Sequence, residues 1–350
     1  MKYNKLGHTG LDVSVICLGT MTWGQQNTEA EGHEQMDCAL DQGVNFWDTA
    51  EMYPVPPMAE TYGRTEEIIG TWFEKTGRRS EVILASKIAG RARRLPWVRP
   101  HLHDGETRLD RASVLEACDN SLKRLKTDYI DVYQLHWPER TTTTFGEMNY
   151  KHMPERDGIA LEETLRALGE LVDAGKVRYV ALSNETAWGT MEFLRLAEQH
   201  GLPRVVSVQN PYNLLMRGYE YAMAEVSCRT GAGLLAYSPL AMGVLSGKYI
   251  GGARPEGARM TKFGDYFPRY MSARAQAETV KYVDIAKKHG LDPAQMANTF
   301  VNMQSFVTSN IIGARTMDQL KSNIATGDMT LSDDVLADIE TVHKETPIGY

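Results

Sequence analysis

The sequence predicts an α/β fold of the closed (β/α)8 TIM-barrel type, with long βα loops and an extra helix near the C-terminal end. Three observations predict it. Short apolar runs alternate with longer amphipathic stretches eight times along the chain, the pattern of a parallel sheet with crossover helices. The first run leads into Gly19-Thr20-Met21-Thr22-Trp23-Gly24, which does not fit the G-x-G-x-x-G turn that an open doubly wound sheet usually places after its first strand. The ends of the eight runs are polar, as expected of the face of a barrel on which active sites lie.

Taken in order, residues 15–18 read as a strand and 30–41 as a helix stopped by Gly43, a residue suited to the turn after a helix end. Residues 45–47 form the next strand. Helix 65–74 follows, with Ile68, Ile69, Trp72 and Phe73 on one face. Residues 82–85 are a strand, and 113–125 a helix for which Ser113 is the expected N-cap. Strand 130–135 precedes helix 161–174, closed by Gly175. Strand 177–182 precedes helix 187–199, closed near Gly201. Strand 205–208, helix 219–229 and strand 234–236 come next. Helix 275–288 ends at Gly290, and Pro293 opens another helix in its first turn, where its missing N–H is tolerated. Residues 306–312 are the last strand, with a helix around 318–324. A closing helix over 331–344 opens on Ser332, with Asp333 and Asp334 favourable in its first turn. Segments 54–63, 138–159 and 240–272 exceed ordinary loop lengths and read as binding loops. The whole chain, 1–350, is expected to form one barrel domain.

The strand ends carry the chemistry. They present Asp48, then Ser86 and Lys87, His136, Ser183-Asn184, Gln209-Asn210, Tyr237-Ser238, and Gly313 with Arg315. A lone terminal Asp can be a helix cap, and a lone Lys is commonly solvated. In a barrel, however, all eight ends open on one face and these side chains converge. Asp48 and Lys87 can then pair inside the mouth, and Tyr53, five residues beyond Asp48, can fold back over them. A phenol with an ordinary pKa near ~10 donates poorly at neutral pH, and a nearby ammonium is expected to lower it. His136 adds a neutral donor for a substrate oxygen. The four make a proton donor, its tuner, the tuner's counter-ion and a substrate orienter. That suits protonation of a carbonyl oxygen while a cofactor delivers hydride to carbon.

These residues resemble those of the aldo-keto reductases, over essentially the whole chain. The likeness is greatest to the Tas-type bacterial branch, which is related to the potassium-channel β-subunits. Gly43-Val44-Asn45-Phe46-Trp47-Asp48-Thr49-Ala50-Glu51-Met52-Tyr53 is similar to the signature that carries the family's catalytic Asp and Tyr. Leu84-Ala85-Ser86-Lys87 resembles the strand of the catalytic Lys. Asp131-Val132-Tyr133-Gln134-Leu135-His136-Trp137 resembles that of the catalytic His. The resemblance implies NADP(H), bound without a Rossmann fingerprint. It implies contacts from Gly19, Thr20, Met21 and Asp48, and places the nicotinamide carboxamide on Ser183, Asn184 and Gln209 with Tyr237 stacked on the ring. Segment 236–248 resembles the pyrophosphate loop, with Ser238, Leu240, Gly243, Ser246 and Lys248. Segment 311–323 resembles the adenosine end, with Gly313, Arg315, Thr316, Gln319 and Asn323. Arg315 there would favour NADP over NAD by pairing with a 2′-phosphate.

Departures from the commoner family pattern lie in Pro54-Val55-Pro56-Pro57 and in the long Thr141–Arg156 loop. Both border the substrate mouth, so no particular substrate is carried over. The Thr run in the second loop has no reading. Trp23, Met52 and Trp137 read equally as pocket walls or as core. His101 and His103 form an H-x-H pair without a clear third ligand, which reads as a solvated loop and not a metal site.

Composition narrows the rest. A net charge of −7 argues against a nucleic-acid or anionic-membrane partner. No run approaches the roughly 20 apolar residues of a membrane span, and the first residues lack the apolar core of a secretory signal. Cys17, Cys38, Cys118 and Cys228 form no C-x-x-C pair and read as free thiols of a cytoplasmic protein. The expectation is a reductase of small carbonyl compounds, reversible to alcohol oxidation. The alternative is a module that keeps NADPH as a sensor ligand, like the channel β-subunits. A metal-dependent barrel hydrolase or lyase needs clustered carboxylates and histidines at the strand ends, and there only Asp48 and His136 qualify.

Overall fold

The computed structural model describes residues 1–147, 149–154, 158–345 and 347. Two short strands, β1 (Tyr3–Lys5) and β2 (Asp12–Ser14), pair as an antiparallel hairpin. Eight parallel strands then close a barrel: β3 (Ile16–Gly19), β4 (Phe46–Asp48), β5 (Ile83–Ile88), β6 (Ile130–Leu135), β7 (Val177–Ser183), β8 (Ser207–Pro211), β9 (Gly233–Tyr237) and β10 (Val307–Ile312). Sequential strands are neighbours, and β10 returns to β3 with Asn310 beside Ile16.

Side chains alternate across each strand. In β4, Phe46 points into the barrel and Trp47 outward, where Trp47 packs edge-on against Trp72 at 5.0 Å and parallel to Phe73 at 6.1 Å. The helices are α1 (Glu29–Asp41), α2 (Arg64–Thr76), α3 (Arg111–Leu125), α4 (Leu161–Asp173), α5 (Ala187–His200), α6 (Met223–Thr230), α7 (Arg259–Phe263), α8 (Ala273–Lys288), α9 (Pro293–Asn302), α10 (Met317–Ala325) and α11 (Asp333–Glu345), of which the short α7 belongs to the loop after β9.

Local caps fix the helix starts. Thr28 and Glu31 form a capping box on α1. Pro293 stands in the first turn of α9 behind the Asp292 cap. For α3 the expectation of Ser113 is corrected. Asp110 is the cap, its Oδ1 accepting from the backbone N–H of Ala112 and Ser113 at 3.0 and 3.2 Å. Ser113 lies inside the first turn and donates its hydroxyl to Asp110 Oδ2. The carboxylate three residues upstream reaches the free N–H groups first, so the helix starts earlier than the apolar pattern does.

The N-terminal hairpin was not expected from the sequence. Its strands are three residues each and mostly polar. Leu6 and Val13 are nevertheless fully buried among Cys17, Phe46, Ala85, Val132, Ala181, Val206, Leu235 and Ile311. The hairpin floors the barrel at the starts of the strands, where Asn4 donates to the carbonyl of Thr308 and Tyr179 donates its hydroxyl to that of Thr9. The opposite end, at the strand termini, stays free for a site.

Segment 240–272 is long, as expected, but carries α7 and several short helical turns. Of the loop expected over 138–159, Met148 and residues 155–157, including Arg156, lie outside the described residues. Among the described residues no helix is long and apolar enough to cross a membrane.

Candidate active site

Directly above the apolar barrel layer, the next inward positions are polar. Strand register sets Asp48 beside Gly19 and Ala85, Lys87 beside Gln134, and Ser183 beside Gln209. Lys87 Nζ donates to Asp48 Oδ2 at 2.6 Å and to the carbonyl of Thr49 at 2.7 Å. Asp48 Oδ1 accepts from Gln134 Nε2 at 3.0 Å and Gln209 Nε2 at 2.7 Å. Lys87, Asp48, Gln134 and Gln209 are all at most 3% exposed. Charges so buried persist only when paired and hydrogen-bonded, which this cage provides.

The chain leaving β4 runs along the end of β5, with Glu51 N donating to the carbonyl of Lys87 at 3.1 Å and Val55 N to that of Met21 at 3.0 Å. This turn brings the Tyr53 ring to 4.9 Å from Lys87 Nζ and edge-on to His136 at 5.7 Å between ring centres. Asp48, Tyr53, Lys87 and His136 therefore meet at the mouth, as the sequence implied. Burial, then the Lys87 and Arg94 charges, push His136 well below the ordinary histidine value. Its ring is neutral near pH 7, and its buried Nδ1 has no hydrogen-bond partner.

The expected lowering of Tyr53 is corrected. Burial and the Asp48 carboxylate hold its phenol well above the usual tyrosine value. The Lys87 ammonium is paired with Asp48 at contact distance, and burial together with the opposing Asp48 charge outweighs its pull on the resting phenol. Desolvation lowers the Lys87 ammonium as well.

Beside this cluster, Asn184 has φ of 52° and donates to the carbonyl of His136 at 2.9 Å. Its Oδ1 accepts from Tyr237 Oη at 2.7 Å. Ser183 Oγ donates to the carbonyl of Gln209 at 3.0 Å, and Thr20 Oγ1 to that of Asp48 at 2.8 Å. Gly19 and Met21 flank Thr20 on the same rim, Met21 packing against the Tyr53 cluster. Ser238, Ala241, Met242 and Gly243 all have positive φ, so the loop after β9 is tightly wound. In it Leu240 accepts from the N–H of Gly243 at 2.8 Å, and Ser246 Oγ donates to the carbonyl of Gly243 at 2.8 Å. At the far end Thr316 caps α10, and Gln319 Oε1 accepts from Arg315 N at 3.0 Å. Asn323 Nδ2 donates to the carbonyl of Gly313 at 3.4 Å, while its Oδ1 accepts from Asn298 Nδ2 at 3.0 Å.

Two contributors escaped the sequence reading. Gln134 completes the Asp48 cage. The alternation Val132, Gln134, His136 could have signalled it, because positions two apart share a face. Arg259, at the start of α7, leans back into the cleft with Nη1 3.4 Å from Met242 Sδ. Burial lowers its pKa, and burial followed by the charges of Arg259 and Arg315 lowers that of Lys248. The three cations share one cleft, and among the described residues none is in salt-bridge contact with a carboxylate, although the Arg315 charge reaches Glu31.

Of the three residues read as pocket wall or core, Trp23 is core. It is fully buried, donating from Nε1 to Gln35 Oε1 at 3.0 Å. Met52 and Trp137 do lie at the mouth, in one apolar cluster with Tyr53, Leu95 and Val98. His101 and His103 turn apart to separate carboxylates, Glu116 at 2.9 Å and Asp110 at 2.7 Å.

The sequence pattern of the Aldo/keto reductase family matches residues 15–344. The chain is 51% identical over 345 residues to Protein tas of Escherichia coli, covering 98% of each. It is 33% identical over 356 residues to the oxidoreductase YrpG of Bacillus subtilis, covering 100% of this chain and 99% of that one. It is 31% identical over 354 residues to a probable voltage-gated potassium channel subunit beta of Arabidopsis thaliana, covering 99% of this chain and 98% of that one. Matched along nearly its full length, and folded as eight parallel strands closed around a buried Asp–Lys pair, the chain belongs to the aldo/keto reductase family and is an oxidoreductase of that type.

Proposed function

We propose that this oxidoreductase reduces aldehydes and ketones to alcohols with NADPH, reversibly, and that Tyr53 is the proton donor. The observation that carries the reading is the convergence of Tyr53, Lys87 and His136 on one point of the barrel mouth.

The cleft suits the cofactor. Lys248, Arg259 and Arg315 form a cationic cluster, and a Cβ on Gly243 would stand 3.0 Å from Lys248 Nζ, so glycine there leaves that ammonium uncrowded. Lys248 and Arg259 would hold the diphosphate and Arg315 a 2′-phosphate. Ser183, Asn184 and Gln209 would hold the carboxamide, and Tyr237 the ring face. Gly19, Thr20, Met21, Ser238, Leu240, Ser246, Gly313, Thr316, Gln319 and Asn323 would line the rest. When bound, NADPH supplies the hydride.

The protein's part is proton handling. The neutral imidazole of His136 offers an N–H to the substrate oxygen and aligns the carbonyl. Tyr53, held above its ordinary pKa, is fully protonated at neutral pH, and its Oη proton moves to the oxygen as negative charge builds there. Lys87 stabilises the phenolate left behind, at 4.9 Å from the ring centre. Asp48, Gln134 and Gln209 fix the ammonium in place. Positioned acid catalysis of this kind contributes roughly 10²–10⁴-fold.

The full set of proton-handling residues favours an enzyme over a sensor module. Stopped-flow oxidation of bound NADPH by a reactive aldehyde tests it. Tyr53→Phe should abolish the single turnover while leaving NADPH affinity nearly intact; equal rates in the two proteins would remove Tyr53 from the donor role.

A further inference from the structure

The mouth carries positive charge that the proton-handling set does not use. In the run Arg91-Ala92-Arg93-Arg94, the first and third residues are engaged by Glu106, at 3.2 and 3.3 Å. Arg94 is exposed and, among the described residues, has no carboxylate partner. Its place is fixed from both sides. Trp137 Nε1 donates to the carbonyl of Arg91 at 3.0 Å, and Leu95 is buried in the same cluster as Tyr53 and Trp137. Arg94 therefore stands at the rim above His136, close enough for its charge to depress that imidazole.

A second arginine reaches the mouth from segment 240–272. Phe267 packs against the Tyr53 and Trp137 cluster, which brings this segment to the mouth. Arg269 follows, its guanidinium 5.7 Å from the ring centre of Tyr270 and beside Tyr237. Its Nη1 is buried and has no hydrogen-bond partner. A buried guanidinium N–H left unmade is costly and points to an acceptor from outside the chain. The acids near the mouth are already taken. Asp48 pairs with Lys87, Glu51 with Arg99 and Glu106 with Arg91 and Arg93.

We infer that the substrate is a carbonyl compound bearing an anionic group, a carboxylate or a phosphate ester, which Arg269 and Arg94 hold while the carbonyl faces Tyr53 and His136. This inference rests on the reductase reading and names its substrate class. The apolar wall of Met52, Trp137 and Phe267 takes the carbon skeleton between the two ends. Charge-assisted bonds of this type exceed neutral ones in strength, so the anion sets selectivity among carbonyls of equal reactivity.

Matched pairs test it: 4-carboxybenzaldehyde against its methyl ester, and glyceraldehyde 3-phosphate against glyceraldehyde. The expected result is kcat/KM at least about tenfold higher for the anionic member of one pair or both, carried mainly by KM. The pair with the larger ratio identifies carboxylate or phosphate as the group. In Arg269→Met and Arg94→Met that ratio falls toward one, and it also falls with rising salt. A second readout does not require turnover. Benzoate and methyl phosphate, with benzamide as neutral control, are titrated against tryptophan fluorescence in protein saturated with NADP+. The anions should bind and should weaken about tenfold in each variant. Ratios near one in the unmodified protein, or ratios and anion affinities unmoved in both variants, would overturn the inference. If no aldehyde is reduced but anion binding at the two arginines persists, the reductase reading falls and the anion site stands.

Discussion

Lys87 Nζ lies 2.6 Å from Asp48 Oδ2, and both side chains are buried. A buried pair gains from mutual attraction only about what desolvation costs, whereas removal of one partner strands the other. Lys87→Met keeps the chain length, deletes the charge and leaves Asp48 with only its two glutamine donors. Denaturant unfolding should show a loss of about 3–5 kcal/mol. Asp48→Asn/Lys87→Met should recover much of that loss. If the double variant is as unstable as the sum of the single ones, the two groups are not coupled as a pair.

Lys87→Met should also suppress turnover, because the phenolate of Tyr53 then forms without the Lys87 ammonium while still facing the Asp48 carboxylate. NADPH affinity should change little. Single-turnover rates at neutral pH check this against Tyr53→Phe, and unchanged turnover would make Lys87 purely structural.

His136 gives a pH dependence with a definite sign. Its folded pKa lies well below 6.5, so in the window below 6.5 the unfolded chain binds a proton that the folded chain refuses. Stability contributed by the neutral ring is intact above pH 6.5. It declines as pH falls from 6.5 to the folded value, by at most about 1.4 kcal/mol per pH unit, and then levels off. His136→Gln lacks this term. Urea midpoints at pH 7.5 and 5.5 should show the unmodified protein losing more on acidification than the variant. Parallel losses would place the acid sensitivity elsewhere.

Cofactor choice depends on the cationic cleft. Arg315→Ala should weaken NADPH at least about tenfold and NADH much less, the signature of a lost charge-assisted bond to one phosphate. Arg259→Ala should weaken both, because the diphosphate is common to them. Dissociation constants from fluorescence titration decide, and equal NADPH and NADH affinities in the unmodified protein would remove the 2′-phosphate role of Arg315.

Gly90 sets how closely the end of β5 approaches the end of β6. A Cβ there would stand 2.1 Å from the carbonyl oxygen of Trp137, so backbone must move. Gly90→Ala should cost about 1–3 kcal/mol and raise KM by displacing Trp137. A stable variant with unchanged KM would show that the mouth yields easily.

The barrel and the four converging residues were legible because strand alternation and the ends of parallel strands obey simple geometry. Other features required three dimensions. Trp23 reads as rim or core in the chain, and only the fold, with Gln35 bonded to its indole, decides for core. Arg259 sits in a loop with no period, so its return to the cleft leaves no pattern in the sequence. The rise in the Tyr53 pKa needed two quantities that sequence does not carry, its burial and the opposing charge of Asp48. The hairpin at residues 3–14 was missed because three-residue polar strands have too little alternation to stand out from a loop.

The closure of β10 against β3 has a consequence for biosynthesis. Ile16 and its neighbour Asn310 are made almost a full chain length apart in time. Any sheet that forms while the ribosome works through the intervening residues has β3 as one open edge and its newest strand as the other. Unpaired edges of this kind are templates for joining foreign strands. Sheet formed during translation is therefore adhesive until the residues around 307–312 are delivered. A stop codon or stalled ribosome a short distance upstream of β10 yields a species with both edges bare, so truncated products should burden the chaperones far more than their missing mass suggests.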